Sequence, residues 1–174
     1  NSNSYNKHTT LVQLNDSTVV VAFEGKDSDG MIQTLKIKAD GIITKLKKFE
    51  HDTNLGHHNA LVSVDDNTVE LAYYASNKGT LKTFDIAADG TITQVASKDF
   101  STGSNAGKYN QLVRLNTNIF VHAYSGVSAD GFIDAYDISA DGKTIALKKS
   151  LEHDEAQNSY NSLIKIGLNR VALA

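Results

Sequence analysis

The feature that most constrains the fold is an internal repeat of about 50 residues. A short apolar motif occurs four times, and its first leucine falls at Leu11, Leu61, Leu112 and Leu163. An alanine follows eleven residues later in every copy, at Ala22, Ala72, Ala123 and Ala174. Periods of this length are typical of solenoids, propellers and other arrays, in which each unit packs mainly against its neighbours.

Each unit predicts four β-strands. β-Branched and aromatic residues fill the apolar segments, and none of these segments has a helical period. An Asp-Gly pair separates the third and fourth segments, at Asp40-Gly41, Asp89-Gly90 and Asp141-Gly142. Because glycine tolerates the positive φ of a tight hairpin, these pairs predict turns. In the third segment Leu35 and Ile32 fall on opposite faces, which indicates a sheet that is packed on both sides.

These observations predict an all-β fold, namely a β-propeller with four-stranded antiparallel blades. Written out, the repeat is LV-x-[LV], then AY or AF, then G-[FMT]-[IL]-x-[TA]-[FYL]-x-I, then DG. It resembles a β-propeller blade repeat family that occurs in tandem in uncharacterised marine bacterial and phage proteins. The resemblance covers almost the whole chain, and it implies an architecture rather than a reaction.

The chain holds about 3.5 blade units, at about 6–55, 56–105 and 106–157, with a half unit at 158–174. Together they form a single propeller domain or part of one. Closed propellers typically have four to eight blades, and half a blade leaves an exposed edge. We therefore expect both chain ends to be cut, the chain being a fragment of a larger propeller. The alternative is a ring of identical chains, such as a homodimer, so the predicted partners are further blades in the same chain or identical chains.

Composition excludes several classes of partner and site. The formal net charge is −3, from 17 basic and 20 acidic residues, which is not the electrostatic footprint of a nucleic-acid binder. We expect neither a nucleic-acid partner nor a membrane. The absence of cysteine excludes disulfides, thiolate metal sites and cysteine nucleophiles. An extracellular, surface or virion-associated location is favoured.

Two columns of polar residues just before the first strand of each unit form the candidate ligand site. One column reads His8, His58, Tyr109, Tyr160, and the next reads Thr9, Asn59, Asn110, Asn161. In a propeller they lie near the rim of the central channel, where they could bind a small polar ligand such as a sugar. Alternatively, their side chains bond loop backbone between adjacent blades. Repetition in every blade favours the structural role, because active sites usually break symmetry. The candidate ligand-binding residues are His58, Asn59, Tyr109, Asn110, Tyr160 and Asn161.

Two groups of residues raise the question of a metal. His51, His57 and His58 could meet near one loop and bind a divalent cation. Residues 27–30 read Asp-Ser-Asp-Gly, like the start of a calcium loop, but Lys38 stands where an EF-hand needs glutamate. A plain hairpin turn is the favoured interpretation. We predict no metal site and no cofactor.

The sequence contains no GxSxG, HExxH or P-loop motif. His122 interrupts a strand and is expected on a blade surface. The predicted function is therefore a non-catalytic interaction or structural module, not an enzyme, with a glycan or a protein as its ligand. The alternative is a lectin-like propeller with repeated carbohydrate sites. An enzyme would need carboxylates or a histidine placed asymmetrically at the channel.

Overall fold

A computed structural model describes residues 7–174, and this part of the chain forms fourteen strands in four antiparallel sheets. The first blade comprises β1 (Lys7–Gln13), β2 (Thr18–Glu24), β3 (Gly30–Ile37) and β4 (Ile43–Asp52). The second blade comprises β5 (His57–Ser63), β6 (Thr68–Ala75), β7 (Lys78–Ile86) and β8 (Ile92–Thr102). The third blade comprises β9 (Lys108–Arg114), β10 (Ile119–Ser125), β11 (Gly131–Ile138) and β12 (Ile145–Asp154). A terminal hairpin follows, formed by β13 (Leu163–Gly167) and β14 (Arg170–Leu173).

The predicted fold class is confirmed: each blade is a meander of four antiparallel strands in chain order. Within residues 7–174 the helical elements are two three-residue 3₁₀ turns, Lys26–Ser28 and Val127–Ala129. The described residues include no helix with the length and apolar character that crossing a bilayer requires. The first predicted unit begins at residue 6, which lies outside the described residues.

The core lies between the faces of successive blades. Val20 and Ala22 of the first blade pack in one buried cluster with Leu71 and Phe84 of the second. A separate cluster joins the second and third blades, where Leu81 belongs to the same buried group as other apolar side chains from both. Every residue of β6 is buried, whereas burial alternates along β2. A strand covered on both faces requires this near-continuous run, which is why strict alternation is missing from the sequence.

The Asp-Gly turns form hairpins and also connect the blades. Gly90 has φ +86° in the second blade, and Gly142 has φ +66° in the third. The side-chain hydroxyl of Thr34 in the first blade donates to the carbonyl of Gly90, at 2.8 Å. Thr83 makes the same bond to Gly142 one blade further on, at 2.6 Å. Each turn is thus anchored to the preceding blade, which fixes how adjacent blades pack.

The inner strands β1, β5, β9 and β13 lie side by side, so residues at equivalent positions in successive blades become neighbours. This arrangement brings the two polar columns of the sequence together at one end of the inner strands.

Candidate functional site

A β-bulge interrupts the inner strand of each complete blade at the same place. Pairing shifts between Lys7 and Thr10 in β1, and between His57 and Ala60 in β5. Four residues at equivalent positions in successive units have positive φ. They are His8 (51°), His58 (52°), Tyr109 (53°) and Tyr160 (61°). Bulky residues rarely adopt this conformation, which costs about 1–3 kcal/mol each. Bulges redirect side chains, and here they redirect His8, His58 and Tyr109, while Tyr160 has the same positive φ in the segment before β13.

The four redirected rings form a continuous row, the channel ladder, made of His8, His58, Tyr109 and Tyr160. Ring centroids are 4.3 Å apart between His8 and His58, and 4.6 Å apart between His58 and Tyr109. The last step, from Tyr109 to Tyr160, is 4.8 Å. The ladder therefore spans all three complete blades and reaches the terminal segment.

The asparagines of the second column connect adjacent bulges. The amide nitrogen of Asn59 donates to the carbonyls of His8 (3.1 Å) and Gly56 (2.9 Å). Asn110 donates in the same way to the carbonyl of His58, at 2.9 Å. Asn161 donates to the carbonyl of Tyr109, at 3.0 Å. The asparagine side chains therefore bond loop backbone of the adjacent blade, as the structural role considered from the sequence requires. A ligand-binding role for the same asparagines stays a prediction.

The channel ladder lines an open cavity of about 510 Å³. All six candidate ligand-binding residues belong to its wall. The other wall residues are His8, Thr9 and Gln111. The described lining therefore consists of amide, hydroxyl, phenol and imidazole groups, with no lysine, arginine or carboxylate.

One carboxylate lies behind this wall. Glu24 ends β2, is only 6% exposed, and forms with His8 and His57 a cluster here called the Glu24 centre. Its Oε1 is 3.2 Å from Nε2 of His57, and its Oε2 is 3.9 Å from Nε2 of His8. Ser28 donates a hydrogen bond to Oε1 at 3.1 Å. The calcium-like stretch 27–30 thus contributes a hydroxyl that holds Glu24.

The Glu24 centre leaves two buried polar atoms without a hydrogen-bond partner, namely Oε2 of Glu24 and Nε2 of His57. The latter is close to Glu24 but is not aligned as a hydrogen bond. One ligand-type atom from each of the three residues lies within 4.8 Å of the other two. Two imidazole nitrogens and one carboxylate oxygen form a donor set that transition metals accept. The sequence predicts no metal site, and it does not single out Glu24.

Burial controls the charge of the histidines in the ladder. It lowers the pKa of His58 to about 4, and the neighbouring His8 and His57 add to this shift. Burial also lowers the pKa of His8, followed by the effect of His57, while Glu24 opposes the shift. His58 is therefore neutral near pH 7 and offers the cavity one nitrogen donor and one nitrogen acceptor.

The histidine cluster considered from the sequence does not form. His51 is buried, and its ring packs against the ring of Tyr73 with centroids 4.6 Å apart. Burial, assisted by Lys82, lowers the pKa of His51 to about 3. His57 and His58 are instead joined by His8, from the preceding blade.

His122 is not on a blade surface. It is fully buried, and its Nε2 lies 2.9 Å from Oδ1 of Asn110. The expectation of exposure is wrong because β10 is covered on both faces, as β6 is. This contact holds the side chain of Asn110, one of the asparagines that line the cavity.

No family model matches the chain, and no curated protein does. Several solved structures, in contrast, are similar to this chain in fold. A candidate 6-phosphogluconolactonase from Bacteroides fragilis aligns with a TM-score of 0.63 and 13% identity, over 84% of this chain and 39% of that one. A hypothetical selenium-binding protein from Sulfolobus tokodaii aligns with a TM-score of 0.62 and 11% identity, over 95% and 43%. Sqt1 from Saccharomyces cerevisiae aligns with a TM-score of 0.58 and 13% identity, over 98% and 43%. The chain spans less than half the length of each.

These likenesses support the propeller-like fold. The narrower resemblance to the repeats of marine bacterial and phage proteins has no matching family model and stays a prediction. The predicted function, a non-catalytic module with a lectin-like alternative, is contradicted. A structure with this fold carries the name of a lactonase, so the fold gives no reason to exclude catalysis. The Glu24 centre also places one carboxylate and two histidines asymmetrically, in the first blade and at its boundary with the second.

Proposed function

We propose that this chain is part of a propeller hydrolase that opens lactones, the cyclic esters of sugar acids, in the cavity beside the channel ladder. The observation that carries the proposal is the Glu24 centre, in which a buried carboxylate lies beside two imidazoles, one of them in the cavity wall. The lactonase name of a structure with this fold supports the choice of reaction.

Asymmetry supports a catalytic role for Glu24. The equivalent positions in the second and third blades hold Tyr74 and Ser125. A residue needed only to pack blades together is expected in every blade, whereas a reacting group is needed once. This asymmetry favours a role for Glu24 in a reaction at the side of the cavity formed by the first blade.

The cavity wall favours a neutral polyhydroxylated substrate. The asparagine amide nitrogens already bond backbone. The groups left to bind substrate hydroxyls are those of Thr9, Gln111, the two histidines and the two tyrosines. The two tyrosine rings can also pack against the apolar face of a sugar ring. Phosphate recognition usually uses arginine or lysine, and the described wall has neither, so we propose a lactone without phosphate.

Lactone opening needs an activated water molecule and a donor for the leaving oxygen. The water oxygen forms a bond to the carbonyl carbon, and the ring C–O bond breaks. One water proton passes to the Glu24 centre and then to the leaving alkoxide, so that the product is the open hydroxy acid. Neutral His58 can donate a hydrogen bond to the oxyanion formed in between.

The test is hydrolysis of glucono-δ-lactone by the 174-residue chain, measured as acid release above the uncatalysed rate. We expect Glu24→Gln to lower kcat/KM on the order of 100-fold, because the amide cannot take a proton. The matched control is Glu152→Gln, an exposed glutamate on β12, with kcat/KM within about twofold of the unmodified chain. Absence of hydrolysis above background, or equal losses in the two variants, would overturn the proposal.

A further inference from the structure

We infer that His8, Glu24 and His57 bind one divalent transition-metal ion, with zinc the best fit. The inference has two parts. Binding of the ion does not depend on the proposed function, whereas its catalytic consequence rests on it.

The donor atoms are already near their positions around a zinc ion. With bonds of about 2.0–2.1 Å, tetrahedral ligands lie about 3.3 Å from one another. Oε1 of Glu24 and Nε2 of His57 are 3.2 Å apart, and Oε2 of Glu24 is 3.9 Å from Nε2 of His8. One donor atom from each residue lies within 4.8 Å of the other two. Because the two short distances involve different oxygens of Glu24, a rotation of its carboxylate is needed to bring one oxygen to both imidazoles.

Two unpartnered atoms in the cluster are suited to binding a cation. Oε2 of Glu24 and Nε2 of His57 are buried and make no hydrogen bond. Burying such groups without a partner costs about 1–3 kcal/mol each, more when one is charged. A cation among the three side chains would satisfy both atoms at once, and no described protein group does so.

The surrounding backbone holds the donors in place. The ring of His8 projects from a bulge with φ +51°, and its carbonyl is fixed by Asn59 at 3.1 Å. Ser28 fixes Oε1 of Glu24. Hydrogen bonds of this kind orient metal ligands and raise metal affinity.

The donor set discriminates between cations. Calcium and magnesium prefer oxygen ligands, six or more in number, and this cluster offers two nitrogens and one carboxylate. Two histidines and a glutamate are a known set for catalytic zinc, with the fourth position left for water. Zinc-bound water loses its proton near neutral pH. The catalytic consequence is that, with the ion bound, water on zinc would supply the nucleophile while Glu24 and the imidazoles hold the ion. The proton transfer to Glu24 in the proposed function describes the metal-free chain.

The test is titration of the metal-free 174-residue chain with zinc chloride by isothermal titration calorimetry. We expect one equivalent of zinc to bind, with at least tenfold weaker binding in Glu24→Gln and in His57→Gln. The control is His153→Gln, which removes an exposed histidine on β12 and is expected to leave the affinity unchanged. Glu24→Gln keeps the side-chain shape, so it decides the result if His57→Gln does not fold by circular dichroism.

Outcomes for the metal and for the reaction can be told apart. Zinc bound through Glu24 and His57 without lactone hydrolysis would support the metal site and overturn the proposed function. Hydrolysis that depends on Glu24 but persists in zinc-free protein would support the function and overturn the catalytic consequence of the metal. Zinc binding that is absent, or unchanged in Glu24→Gln, would overturn the metal site itself.

Discussion

One pair of equivalent positions carries different side chains at two successive blade boundaries, although the backbone arrangement repeats. At the first boundary they are Glu24 and His57, an acid and an imidazole 3.2 Å apart. At the second boundary they are Tyr74 and Lys108, where the ammonium lies 5.1 Å from the ring centroid. The first pair can exchange protons or bind a cation, while the second is an ordinary cation–π contact. The repeat thus fixes the geometry, and single substitutions decide which boundary pairs an acid with an imidazole.

The same contrast extends to the channel ladder and to buried acids. The two bulged residues around the first boundary are histidines, and the next two are tyrosines, with nearly the same φ. Glu24 is buried beside imidazoles at the cavity. Glu70, fully buried towards the second boundary, has no hydrogen-bond partner for either oxygen, and burial raises its pKa to about 8. One buried acid lies beside two imidazoles, and the other has no hydrogen-bond partner at all.

The largest expected effect is on hydrolysis and separates the two boundaries. His57→Gln should lower kcat/KM for glucono-δ-lactone on the order of 100-fold, because it removes an imidazole from the Glu24 centre. The double variant Tyr74→Phe, Lys108→Gln changes the equivalent pair and should stay within about twofold of the unmodified chain. If both variants lost activity to the same degree, the boundaries would be functionally alike and the comparison would fail.

Stability against pH should reveal the enclosed acid. The folded pKa of Glu70 lies above its ordinary value of 4.5, so its favourable contribution is present below pH 4.5 and is lost as pH rises through about 8. Glu70→Gln should therefore raise the free energy of unfolding by a few kcal/mol more at pH 8 than at pH 5. Urea denaturation at both pH values measures this.

A gain for Glu70→Gln that is equal at the two pH values would show that the carboxyl is not neutral when folded. Thr83→Ser, on the strand paired with β6, is a suitable control because it keeps a hydroxyl for Gly142 and changes no ionisable group. Its effect should not vary with pH beyond that of the unmodified chain.

The smallest effect distinguishes two asparagines with the same backbone bonds. Asn59→Ala and Asn110→Ala should each lower the free energy of unfolding by about 1–3 kcal/mol. Asn110→Ala should cost about 1 kcal/mol more, because it also leaves the buried Nε2 of His122 without its partner. Thermal unfolding of both variants measures the difference. Equal losses would mean that the His122 contact contributes nothing to stability.

Much of the fold could be predicted from the sequence. The strands, the Asp-Gly hairpins and the position of the polar columns follow from the repeat. Each blade packs against its neighbours in the same way, so equivalent residues occupy equivalent positions. The columns meet at one cavity, as expected. The bulge could not be predicted, because positive φ is rare even for histidine, in which it is enriched, and tyrosine at the equivalent position carries no such signal. His122 was placed wrongly because a polar residue within an apolar strand suggests exposure, although β10 is covered on both faces.

The candidate site divides in the same way. The sequence by itself determined the repeat period, the strand order and the two polar columns, since these depend on local pattern and on equivalence between units. It did not single out Gln111, which also lines the cavity. Only the tertiary structure decided that Glu24, at the end of a strand in the first blade, lies beside His57 of the second. Side chains from different blades meet only when the blade faces pack, and the angle of that packing is set by contacts that no single repeat contains.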